Sequence, residues 1–134
     1  MTLAQTLTAE GATAQSLYDL VTDGLAVSDL PGNSSTYDAL VHRNANNEGV
    51  ALAYQLLCDQ AGIPCTLVRG TLDRSTHFWN IVQTESGEYR HMDLSAGLSF
   101  LTDEELSAAG PYGWDTVKYP SCLSTPPQPE EEKI

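Results

Sequence analysis

Apolar residues recur at three-to-four spacing in some stretches of the chain and crowd into short β-branched runs in others. Leu17, Leu20, Val21 and Leu25 predict a helix from about Ala9 to Val27, with Gly11 and Gly24 weakening its ends. Residues 29–35, DLPGNSS, read as a loop by their Pro-Gly and Asn-Ser content. Ser35 can then cap a short helix carrying Tyr37, Leu40 and Val41. The strongest helical signal follows, where Val50, Ala53, Tyr54, Leu57, Cys58 and Ala61 form one stripe. Gly62 ends that helix and Pro64 prevents it from resuming. Asn46 or Asn47 is its natural N-cap, a role worth about 1 kcal/mol relative to Ala.

Cys65 to Gly70 predicts a first strand, residues 71–76 a polar loop, His77 to Val82 a second strand and Glu88 to Leu94 a third. Ser86-Gly87 carries the turn between the last two. Folding about that turn brings His77 and Asp93 to the same end of the hairpin, as cross-strand or diagonal neighbours. Thr102 to Glu105 is a capping box that opens a short helix ending near Gly110. Residues 110–114 are irregular. The expected architecture is α+β, a small antiparallel sheet packed against a central helix over about 48–61. One domain is expected over 1–123, with a helical part at 1–46, a core at 47–95 and a C-terminal part at 96–123. The proline-rich, acidic residues 124–134 are expected to be disordered.

Charge narrows the partners. Eighteen acids stand against six bases, and Arg43, Arg69, Arg74 and Arg90 are scattered. Nucleic-acid binding through phosphates and adsorption to an anionic membrane are both excluded by that balance. No apolar run is long enough to span a bilayer. The first fifteen residues lack the basic start and apolar centre of a signal peptide, which fits either a cytosolic protein or a trimmed piece of a secreted one. Three cysteines without CxxC spacing make a zinc cage improbable. Cys58 reads as a small core residue, while a Cys65–Cys122 bridge is one way to tie the C-terminal segment to the sheet.

Five short motifs then occur in order: TYDALV, NEGVA, AGIPCTLVRG, HFWN and YRHMDLS. From Thr36 to Ser95 the chain resembles the bacterial transglutaminase-like domains of the papain-like cysteine-enzyme superfamily, whose pattern is A-Y-x-A-L-V, C-x-G-Y-A, a helix ending A-G-I, H-x-W-N and Y-H-V-D-x-T. The resemblance implies a Cys-His-Asp site. The thiolate would sit at a helix N-terminus, where the dipole and an adjacent imidazolium stabilise it. The histidine activates it and the aspartate orients the histidine.

His77 and Asp93 fall on the family histidine and aspartate, and Asn47 falls on the cysteine. An amide nitrogen is a poor nucleophile because its lone pair is delocalised into the carbonyl. Cys58 lies eleven residues along the same helix, roughly 16 Å away at 1.5 Å per residue. Cys65 lies beyond the helix's far end. Loss of the nucleophile of such a triad costs on the order of a million-fold in turnover.

The expectation is therefore a transglutaminase-like domain without covalent thiol catalysis, in which Asn47, His77 and Asp93 are a vestigial triad. No cofactor is implied. The cleft would remain for a protein or peptide ligand. Two alternatives are a hydrolase that uses His77 and Asp93 without a thiol, and a purely structural domain. His77, His91 and Asp93 also have the composition of a two-His-one-carboxylate metal site, although the family pattern carries a histidine at the position of His91 without needing a metal. A secreted or cell-envelope setting is suggested by the resemblance alone.

Overall fold

The structure, a computed structural model, describes residues 12–28 and 32–123. The expected start of the first helix at residues 9–11, part of the 29–35 loop and the whole 124–134 tail lie outside the described residues.

Among the described residues the first helix is α1 (Ala14–Thr22), which Thr13 caps in a reciprocal box with Ser16. The helix is shorter than its periodicity predicts. Gly24 takes a left-handed φ of +71°, and Ala26–Val27 becomes a short strand, β1. β1 pairs in parallel with β2 (Asn44–Ala45). Between them Asp38–His42 forms one wide helical turn, and the Ser35 hydroxyl accepts from the Asp38 N–H at 3.0 Å. Ala39 is its buried residue, while Tyr37 and Val41 are exposed.

The central helix α2 (Asn47–Ala61) buries Gly49, Val50, Ala51, Ala53, Tyr54, Leu57 and Cys58. It ends at Gly62, whose φ of +78° is the left-handed state that glycine adopts without penalty. α2 packs on one face of a five-stranded antiparallel sheet. The strands are β3 (Cys65–Leu72), β4 (Ser75–Gln83), β5 (Tyr89–Asp93), β6 (Leu98–Leu101) and β7 (Tyr112–Gly113), in the spatial order β6-β5-β4-β3-β7. This is the α+β arrangement expected of the sequence.

Two apolar layers sandwich the sheet. On the α2 side Val82, Met92 and Leu94 pack against Leu17, Val21, Val50, Tyr54 and Leu57. On the other side Val68, Trp79 and Ile81 pack against Leu106, Tyr119 and Cys122. Leu106 belongs to α3 (Asp103–Ala109), the last helix among the described residues, which opens on the Thr102/Glu105 capping box. Gly70 makes room for the second layer. A Cβ there would stand 2.6 Å from the Trp79 ring and collide with the Gly113 carbonyl.

Three expectations are corrected. Residues 71–76 are not a loop, because β3 and β4 run on to a two-residue turn at Asp73 and Arg74. Both turn residues have positive φ, 54° and 69°, the geometry of a tight hairpin that Asn and Gly ordinarily supply. The strands β6 and β7 fall where no strand was expected. Finally, all three cysteines are free. Cys65 packs in the α2-side layer and Cys122 in the opposite one, so the sheet itself stands between the two residues of the anticipated bridge.

Candidate functional site

Helix α2 begins where β4 passes its N-terminus. Asn46, not Asn47, is the N-cap, its side-chain oxygen accepting from the Gly49 N–H at 3.0 Å. Its amide nitrogen donates to Ser34 Oγ at 2.9 Å. Asn47 is thereby released to be the first helical residue, and its Oδ1 accepts the backbone N–H of Phe78 at 2.9 Å. One side chain thus ties the start of the helix to the strand residue that follows His77.

Across the hairpin, His77 Nε2 lies 2.7 Å from Asp93 Oδ2. The His77 side chain is 12% exposed and that of Asp93 1%. The same carboxylate oxygen accepts from the Tyr112 hydroxyl at 2.6 Å, and Oδ1 accepts from Ser95 Oγ at 2.8 Å. Burial alone would raise the Asp93 carboxyl, but donation by His77, Tyr112 and Ser95 outweighs it and holds the group below the usual carboxylate range. Tyr112 moves the opposite way, pushed up by burial and by its bond to Asp93. With Nε2 engaged by an ionised acceptor, the neutral imidazole carries its proton there and presents a lone pair at Nδ1. No described residue partners that Nδ1.

Asn47 and His77 open onto one cleft of about 650 Å³, lined also by Val27, Leu72, Asp73, Thr76 and Ser95. Among the described residues its lining contains no lysine or arginine. A second depression of about 670 Å³ lies at the other end of α2, around Gly62, Pro64 and Phe100. Among the described residues Glu85 is its only ionisable lining residue, so the chemistry is concentrated in the first.

The sequence-level metal set His77, His91 and Asp93 does not assemble. His91 is fully buried beyond Trp79 and turns away from the cleft, its Nδ1 accepting the Trp79 indole N–H at 3.0 Å. Its Nε2 lies 2.7 Å from Asp103 Oδ1. Burial lowers His91 more than the Asp103 carboxylate raises it. Among the described residues, the ligand-type atoms of His91, Asp103 and Cys122 do come within 4.8 Å of one another. Trp79, a donor only, obliges His91 to keep its proton on Nε2, so no lone pair faces those partners. Burial, followed by the Asp103 charge, pushes the Cys122 thiol up to about 12. These three residues do not fit a metal as they stand, and they form a hydrogen-bonded latch between β5, α3 and the C-terminal segment.

Two residues of the site escaped the sequence reading. Ser95 stands two places after Asp93, inside the YRHMDLS motif. Tyr112 lies in a Gly-Pro-Tyr-Gly-Trp stretch whose pairing with β3 no local pattern announces.

No curated protein sequence matches the chain. A candidate cysteine protease from Cytophaga hutchinsonii, known from its crystal structure, superposes with a TM-score of 0.53 at 16% identity, over 75% of this chain and 38% of that one. At this identity the likeness establishes the papain-like fold alone, and the chain spans well under half of that protein's length. The sequence model of the transglutaminase-like superfamily matches residues 1–94, and with the helix-to-hairpin geometry described above the chain belongs to the transglutaminase-like superfamily.

Proposed function

We propose that this is a transglutaminase-like domain without covalent thiol catalysis, whose cleft at the N-terminus of α2 binds an extended polypeptide segment. The observation that carries the reading is the position of Asn47. It occupies the first residue of α2, beside an intact His77–Asp93 pair, and its Oδ1 is already engaged by the Phe78 N–H. Cys58 and Cys65 lie toward the far end of the helix, and Cys122 lies across the sheet. The cleft keeps groups suited to a peptide backbone, with a lone pair at His77 Nδ1 and hydroxyls on Thr76 and Ser95, between the apolar flanks Val27 and Leu72. Screening a random peptide array against the labelled protein and mapping hits by amide chemical-shift perturbation tests it. Shifts clustered on residues 46–47, 72–77 and 95–96 are expected. Hits that perturb only other surfaces, or an absence of hits, contradict the reading.

A second reading is favoured by the unpartnered His77 Nδ1. An imidazole oriented by a carboxylate is a general base, and a water held between it and Asn47 would make a thiol-independent hydrolase. A panel of peptide, ester and amide substrates, run for the wild type and His77→Ala, separates the two readings. Turnover lost with His77 selects the hydrolase.

A further inference from the structure

We infer that Tyr112 is a positioning residue of this site, which by sharing the Asp93 carboxylate oxygen with His77 limits the pull of that carboxylate on the imidazole and leaves Nδ1 available as a hydrogen-bond acceptor in the cleft. The inference rests on the reading that His77 faces the ligand, and it makes the group met there a donor, an N–H or an O–H.

The geometry is specific. Asp93 Oδ2 receives two donors, His77 Nε2 at 2.7 Å and the Tyr112 hydroxyl at 2.6 Å, while Ser95 takes Oδ1 at 2.8 Å. A carboxylate that serves His77 alone concentrates its charge on the imidazole and favours the imidazolium, whose Nδ1 is a donor. A phenol bonded to the same oxygen draws on that charge and weakens the pull. Tyr112 is also fixed independently of the bond. Its ring meets the Trp79 ring edge-on at 5.2 Å and the His77 ring at 5.9 Å, and β7 pairs it with Leu72.

The remaining surroundings of His77 divide in sign. The N-terminus of α2, at Asn47, disfavours a positive charge. Asp73, which lines the same cleft, favours one. Trp79 and Ser95 are neutral. None of these changes when Tyr112 loses its hydroxyl, so Tyr112→Phe isolates the one interaction.

The test is a nitrogen-detected NMR titration of the histidine side chains in the full chain, which needs neither ligand nor turnover. For the wild type at neutral pH, His77 is expected to show a protonated Nε2 and a bare Nδ1. In Tyr112→Phe the ratio of imidazolium to neutral imidazole at a fixed pH near 6.5 should rise about three- to tenfold, a fraction of the strength of a charge-assisted hydrogen bond. Ser95→Ala, which removes the donor to the other oxygen, should move it the same way by less. A merely structural tyrosine would lower stability and leave the ratio unchanged. An unchanged or lower ratio in both variants, or a wild-type His77 protonated at Nδ1, overturns the inference. Because no peptide is involved, that result is distinct from a failure to find a peptide ligand.

Discussion

The carboxamide of Asn47 and the backbone of Phe78 are joined by a 2.9 Å hydrogen bond, and this bond fixes the start of α2 against the strand that carries His77. At the position that the motif resemblance aligns with a sulfur nucleophile, the chain has a cross-link between helix and sheet. Asn47→Ala removes the acceptor and leaves a partly buried N–H unpaired, which should cost about 1–3 kcal/mol. Asn47→Asp keeps the acceptor and adds a charge that the helix N-terminus favours, by about 0.3–1 kcal/mol. Urea midpoints should fall for the alanine variant and hold for the aspartate. An alanine variant as stable as the wild type would remove the structural role given to Asn47.

Acid should weaken the fold in two stages. Burial places His91 below its ordinary 6.5 in the folded state. The unfolded chain then binds the proton first, and stability begins to drop as pH falls below about 6.5. Asp93 lies below its ordinary 3.8 when folded. The stability it confers is complete above that value and is lost as pH falls through the lowered one. Denaturant midpoints measured from pH 8 to 2 should show both descents, with His91→Gln flattening the upper one. A level profile between pH 7 and 5 in the wild type would contradict the buried, neutral His91.

The hairpin at the cleft rim is strained. Asp73 and Arg74 both hold positive φ, which costs most side chains roughly 1–2 kcal/mol each relative to glycine. Replacing the pair by Asn-Gly should raise stability by about 0.5–2 kcal/mol. Should the change destabilise the domain, the native side chains at the turn must make contacts that outweigh the strain.

What could be read from the sequence was local. The stripe from Val50 to Ala61, closed by Gly62 and Pro64, specifies α2 because periodicity and stop signal agree. The Thr102/Glu105 box was legible for the same reason. The 71–76 segment misled because its turn uses Asp-Arg in a geometry that normally advertises itself with Asn-Gly. The pairing of Ala26–Val27 with Asn44–Ala45 overrode a helical pattern through contacts made eighteen residues apart, and no window of propensity contains that information. Between Asn46 and Asn47 sequence alone could not choose. The cap and the cross-link are adjacent residues of the same type, and only the position of β4 separates their roles. His91 shares a strand face with Asp93, as alternation requires, yet the Trp79 indole takes its Nδ1, on the side away from Asp103. Composition therefore suggested a ligand set that the packing does not make.

The most direct test of the account places a thiol at residue 47. Asn47→Cys, alone and with His77→Ala, would be alkylated with iodoacetamide at about pH 6, where an ordinary thiol with a pKa near 8.5 is almost wholly protonated, and modification of residue 47 followed by mass spectrometry. The account predicts fast modification of the single variant and a loss of that rate when His77 is removed. That would show a helix N-terminus, an imidazole and a carboxylate still placed for thiolate chemistry, with only the nucleophile absent. Modification of the single variant at the rate of an ordinary thiol, unaffected by His77→Ala, would contradict it.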